Sequence, residues 1–147
     1  MTKAIYFDMD GTIADLYGVK NWLDKLINHD PSPYLEAAPL LRLCTLARLL
    51  NKLQRKGYII GVVSWLSKEN NLGYNATVTA AKYKWLADHL PSVNFDEIMI
   101  VPYGTPKGTV ISSPDGILFD DEEKNRIDWP GTAFDVSNII EVLKGLN

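Results

Sequence analysis

Short apolar runs that stop abruptly at acidic or hydroxyl residues recur along this chain. Ala4-Ile5-Tyr6-Phe7 stops at Asp8-Met9-Asp10-Gly11-Thr12, residues 58–63 stop at Ser64, and residues 116–119 stop at Asp120-Asp121. Runs this short, bulky and β-branched, closed by polar turns, predict buried strands, and residues 97–101 predict one more. Between them the apolar positions change to helical spacing. Val19, Trp22, Leu23, Leu26 and Ile27 predict a short amphipathic helix halted by Asp30-Pro31-Ser32-Pro33. Leucines 40, 43, 46, 50 and 53 predict a longer helix over residues 39–56, with Pro39 suited to its first turn and Gly57 to its carboxyl cap. Residues 64–75 read as a polar loop, 76–90 as a helix halted by Pro91, and 136–146 as a closing helix.

Strand and helix therefore alternate, which predicts the α/β class: an open, mostly parallel, Rossmann-like sheet with helices on both faces. The length of 147 residues suits a single domain over 1–147 and is too short for two independent cores. A charged share of 22% beside a hydrophobic share of 46% excludes a disordered or fibrous chain. The net charge of −3 argues against a broad duplex-binding face. Cys44, the one cysteine, lies in an apolar helical run; no disulfide framework follows, and a buried small hydrophobe is expected. The opening residues lack the long apolar core of a secretory signal, and Arg42 and Arg48 interrupt the longest apolar stretch, so a cytoplasmic chain without a membrane span is expected. His29 and His89 have no partners at metal-ligand spacing and are expected at the surface.

In open α/β sheets the ligand site lies beyond the carboxyl ends of the strands, where Asp8, Asp10, Ser64, Asp120 and Asp121 stand in this pattern, with Lys107 in a following loop. Gly11 lets the chain turn, so that Asp8 and Asp10 can hold different roles. A phosphate ester repels a carboxylate nucleophile unless a hard cation and a lysine neutralise its charge. Asp8 and Asp120, with Asp10 and Asp121 beside them, offer oxygen ligands to Mg2+, and Lys107 offers fixed positive charge. On this reading Asp8 attacks phosphorus, Asp10 is the general acid and then the general base, and Ser64 holds phosphoryl oxygens. Gly11, Thr12 and Trp65 are the candidate substrate-binding residues; Trp65 stands next to Ser64, where it could stack on a base. Glu122 and Glu123 read as surface.

Asp8-Met9-Asp10-Gly11-Thr12, Ser64 at a strand end, Lys107 and Phe119-Asp120-Asp121 stand in the order of the four motifs of the haloacid dehalogenase superfamily, which the chain resembles over its whole length. Within it, Lys82-Tyr83-Lys84-Trp85-Leu86, Ile98-Met99-Ile100 and Ile117-Leu118-Phe119-Asp120-Asp121 look like the 5'(3')-deoxyribonucleotidase group. The resemblance implies a magnesium-dependent phosphatase with an aspartyl-phosphate intermediate and a small phosphorylated substrate, a nucleotide. In that group a multi-helix cap follows the first motif; here residues 16–38 leave room for about one short helix and a turn, a reduced cap-like insertion. The second motif resembles Thr-Ser-Pro there and is Ser64-Trp65-Leu66 here. A small cap leaves open a large substrate, such as a polynucleotide end or a phosphoprotein, and a partner subunit of a homo-oligomer could complete the pocket. A signalling receiver domain uses similar groups but places its acidic pair first and its lysine last. A non-catalytic binding protein on the same frame is the remaining alternative.

Overall fold

The computed structural model describes residues 3–69 and 71–147. In chain order its elements are β1 (Ala4–Phe7), β2 (Ala14–Asp15), α1 (Trp22–Ile27), α2 (Ser32–Glu36), β3 (Ala38–Pro39), α3 (Leu43–Arg55) and β4 (Ile59–Trp65). There follow α4 (Leu72–His89), β5 (Glu97–Val101), β6 (Ile117–Phe119), α5 (Glu123–Asp128), β7 (Thr132–Phe134) and α6 (Ile139–Leu146). Single 3-10 turns stand at Leu16–Gly18, Lys107–Thr109 and Val136–Asn138.

Five strands make one parallel sheet in the order β5-β4-β1-β6-β7. β1 is central and buried on both faces, as its unbroken apolar run requires. Alternate residues part to the two faces. Ile5, Phe7, Ile60, Val62, Ile117 and Phe119 join the core built with α3, α4 and α6. Tyr6, Val63 and Leu118 face the other way, against Ile111 and Trp129. The three longest helices thus cover one face, and the other is covered by the 3-10 turn at Lys107–Thr109, the loop after it and the end of α5.

Connections from β1 through β4 to β5 step towards one edge, whereas β6 and β7 lie on the other side of β1. Between β1 and β6 the direction of winding reverses, which opens a crevice beyond their carboxyl ends. Asp8 and Asp120 are the residues that follow these strands, and Asp8 N still donates to the Phe119 carbonyl at 2.9 Å. The two-residue ladder of β2 and β3 closes the base of residues 16–38 beside this crevice, pairing Ala14 with Pro39 and Asp15 with Ala38.

Several boundaries differ from the sequence reading. Residues 16–38 form two short helices, α1 and α2, where one was expected: α1 ends at Ile27, where His29 takes φ +57° and the N–H groups of His29 and Asp30 donate to the carbonyls of Leu26 and Lys25, and Pro31-Ser32-Pro33 then starts α2, since proline suits a first helical turn. Pro39 is not in a first turn of α3; it is held in β3, and Leu40 N donates to the Ile13 carbonyl at 3.0 Å. α4 begins at Leu72, ahead of the expected residue 76, because the Asn71 side chain caps it by accepting from Tyr74 N at 2.9 Å. Cys44 lies off the leucine stripe of α3 and is exposed, which corrects its expected burial. No helix among the described residues is long and apolar enough to cross a membrane.

Candidate active site

The turn after β1 is wound around one carbonyl. Thr12, Ile13 and Ala14 all direct their amides at the Met9 oxygen, at 3.0 Å each. Gly11 sits there at φ +78°, and a Cβ placed on it would lie 2.4 Å from Asp121 Oδ2. Glycine is therefore required twice, by its backbone and by the approach of a carboxylate. This turn brings Asp8, Asp10 and Thr12 to the crevice. β6 brings Asp120 and Asp121, and the 3-10 turn after β5 brings Lys107.

Lys107 Nζ donates to Asp8 Oδ1 at 2.9 Å and to Asp120 Oδ2 at 2.6 Å. Burial alone disfavours its ammonium, but the charges of Asp8 and Asp120 outweigh that and hold its pKa above the usual lysine value. Asp120 is fully buried. Its Oδ2 also accepts from Asn125 Nδ2 at 3.1 Å, and its Oδ1 accepts from Glu122 N at 2.9 Å. Trp65 donates its Nε1–H to the Thr105 carbonyl at 2.7 Å, which fixes the loop leading to Lys107, and Lys107 Nζ lies 5.5 Å from the centre of its ring.

Carboxylate oxygens of Asp8, Asp120 and Asp121 lie within 4.8 Å of one another. One ammonium serves this group, and Asp121 has no ion-pair partner among the described residues. Burial first, and then the charge of Asp8, hold both Asp120 and Asp121 above the ordinary carboxylate range. An oxygen-only donor set with more negative than positive charge fits a hard divalent cation such as Mg2+. The Asp10 carboxylate lies outside that triplet. Thr12, a candidate for substrate contact, is buried and donates its hydroxyl to Asp8 Oδ2 at 3.0 Å, so it orients the carboxylate.

Lys82 was not among the candidates. Its side chain is 1% exposed, and Nζ donates to Asp10 Oδ2 at 2.9 Å, Ser64 Oγ at 2.7 Å and the Trp65 carbonyl at 2.7 Å. All three donors are used, so Asp10 and the end of β4 are held to α4. Ser64 is brought to Lys82 and is fully buried, without lining the small crevice pocket. A signal for Lys82 existed in the sequence: it occupies the face of α4 that buries Tyr74, Val78, Ala81 and Trp85. Lysine on an apolar stripe calls for a buried acceptor. Asn125 left no comparable trace, being one polar residue in a short polar helix.

No protein-family model matches this chain, and no curated protein matches it as a relative. What the site can do rests on its own geometry. Asp8, Asp10, Trp65, Lys107, Asp120 and Asp121 border one pocket of about 60 Å3. Burial raises the Asp10 pKa, opposed by Lys82 and reinforced by Asp8. The pocket thus pairs a carboxylate held by a lysine and a hydroxyl with a second carboxyl group inclined to keep its proton, a division suited to nucleophile and acid. The two histidines stay out of it: His29 bonds Glu69, and His89 stacks on Trp85 with ring centres 4.3 Å apart.

Proposed function

We propose that this chain is a magnesium-dependent phosphomonoester hydrolase of the haloacid dehalogenase type, acting through a phosphorylated Asp8, with a nucleotide such as a deoxynucleoside monophosphate as substrate. The observation that carries the reading is the meeting of Asp8, Asp10, Lys107, Asp120 and Asp121 at the point where the sheet reverses its winding. The same residues carry the motif order noted in the sequence. Asp8, Asp120 and Asp121 would hold Mg2+, which supplies positive charge against the phosphoryl oxygens.

An Asp8 carboxylate oxygen attacks phosphorus, the ester P–O bond breaks, and Asp10 delivers its proton to the departing alkoxide. Asp10, now a carboxylate, takes a proton from the water that attacks the acyl phosphate; the P–O bond to Asp8 breaks and inorganic phosphate leaves. Lys107 steadies the charge of Asp8 and of the phosphoryl group. Thr12 fixes the rotamer of Asp8, and Lys82 fixes that of Asp10.

The test is phosphate release from an aryl phosphate and from deoxynucleoside monophosphates, with and without Mg2+, in the wild type and in Asp8→Asn. Magnesium-dependent turnover lost by at least ~1,000-fold in the variant is expected, the scale seen when a residue of a catalytic unit is removed. Folded wild type that releases no phosphate from any of them would sink the proposal.

A further inference from the structure

The outer face of α3 carries one sign of charge. No aspartate or glutamate stands between Glu36 and Glu69, and five of the cations in that interval, Arg42, Arg48, Lys52, Arg55 and Lys56, belong to α3 and its two flanking residues. The chain as a whole carries −3, so these cations are set apart from an acidic remainder. All five are exposed. Leu46, Leu49, Leu50 and Leu53 take the opposite face of the helix into the core, which leaves Arg48, Lys52 and Arg55 in one row at i, i+4 and i+7. At 1.5 Å per residue that row is ~10 Å long.

Nothing inside the molecule balances it. None of the five cations pairs with a carboxylate among the described residues, and Lys56 Nζ donates to a neutral group, the Asn147 carbonyl, at 3.2 Å. One flank of the helix is made of amides: Asn51 reaches Ser92, and Gln54 reaches the Asn94 carbonyl. The carboxylate on that flank, Asp96, already accepts from Gln54 Nε2 and from Ile60 N. Like charges three and four residues apart on a helix repel. The helix dipole offsets this for Lys52 and Arg55, in the last turn. It does nothing for Arg48 in mid-helix, and Arg42 stands at the amino end, where the dipole disfavours a cation. The row therefore calls for a counter-charge from outside.

The rest of the face limits what that counter-charge can be. No large apolar side chain of α3 is exposed, whereas a helix that lies in a membrane surface presents such residues beside its cations. α3 contains no aromatic residue, so it offers no platform for the unstacked bases of a single strand. Contact with phosphates alone remains, and a duplex presents them most densely, at one per ~1.7 Å of its axis. Three of the five cations are arginines, whose planar fork matches the oxygens of a phosphate. We infer that the exposed face of α3 is a docking surface for the backbone of double-stranded nucleic acid, bound without regard to base sequence. A face one helix wide accords with a net charge that argues only against a broad one. The inference is independent of the hydrolase reading, because none of the five cations borders the crevice pocket.

The test is fluorescence anisotropy of a labelled duplex of about 20 base pairs with the whole chain, without Mg2+, at about 50 mM and about 200 mM NaCl. A Kd of ~100 μM or tighter is expected at the lower salt, and with about four phosphates neutralised it weakens by ~100-fold at the higher. The comparison protein carries Arg48→Gln, Lys52→Gln and Arg55→Gln together. Glutamine keeps the helix propensity of the residues it replaces and all three positions are exposed, so the variant folds. It is expected to bind at least ~10-fold more weakly at the lower salt, with a salt slope smaller by about three. The variant leaves phosphate release from an aryl phosphate unchanged, so loss of duplex binding and failure of the hydrolase reading are told apart. Location is read separately at Cys44, the one cysteine, which is exposed one turn before Arg48. Saturating duplex should slow its reaction with N-ethylmaleimide severalfold. No binding at the lower salt, wild-type affinity in the triple variant or an unprotected Cys44 overturns the inference. So does equal or tighter binding to the single strand, to polyglutamate or to phosphatidylserine vesicles.

Discussion

Replacing Lys107 by methionine keeps the length of the side chain and removes the one cation that Asp8 and Asp120 share. The partners are among the least exposed charges in the molecule, with side-chain exposures of 3% for Lys107, 10% for Asp8 and 0% for Asp120. Removing one member of a buried ion pair costs about 3–5 kcal/mol, because the remaining charge is left without compensation. Asp120 keeps two neutral donors, Asn125 and the Glu122 amide, so the lower end, about 3 kcal/mol, is expected at pH 7.5 without Mg2+. For a chain of this size that corresponds to a fall in Tm of ~6–12 °C. The sign of the pH dependence identifies the cause. Without Lys107 the folded-state pKa of Asp120, already raised by burial and by the charge of Asp8, rises further above its unfolded value, and a carboxyl group so shifted contributes stability that is present at low pH and lost as pH rises through the folded pKa. The gap between variant and wild type should therefore narrow towards pH 5 and widen towards pH 8. Urea unfolding of both proteins across that range, without divalent cation, measures it. A gap below about 1 kcal/mol, or one that does not vary with pH, would refute the reasoning.

Stability without metal and the binding of metal should depend on pH in opposite senses. Asp120 is held up to about 6 and Asp121 up to about 8, so stability without metal declines as pH rises towards 8, whereas Mg2+ binding releases protons and tightens over the same interval, by up to ~10-fold per pH unit. Calorimetric titration with Mg2+ in buffers of different ionisation enthalpy checks both the tightening and the proton release. Lys82→Met leaves Asp10 without its cation and raises its pKa further, so the pH at which hydrolysis of an aryl phosphate declines should move upward, and the unfolding free energy should fall by about 3 kcal/mol. Gly11→Ala places a methyl group against Asp121 at a positive φ; loss of about 1–3 kcal/mol is expected, with weaker Mg2+ binding, measured by denaturant unfolding and titration.

The parts of this protein legible in its sequence are those that depend on local pattern. β1 and the main body of α3 follow from periodicities that any sheet or helix with a buried face must show, and Asp8, Asp10, Asp120 and Asp121 are conspicuous because each ends an apolar strand. Elements that escaped reading are short or conditional. β7 has three residues, too few to display a period, and exists because β6 offers it an edge. The 16–38 excursion was legible as an interruption, but its two helices depend on a left-handed turn at His29 that ends the first and on a proline pair that starts the second.

Tertiary structure alone decided which polar groups meet. Lys107 reaches Asp8 across 99 positions of sequence, and Lys82 reaches Asp10 across 72. The apolar stripe of α4 signals that Lys82 needs a buried acceptor, but neither lysine's partner can be read locally, because ion pairing depends on distance in space, and that distance is set by strand order and crossover direction. The sequence by itself determined β1, β4, β5 and β6, the acidic ends of β1 and β6, and the need for charge compensation there. The fold determined which lysine meets which carboxylate and that Thr12 orients Asp8: burial and proximity are properties of the packed chain, and the pattern of residues can only demand them.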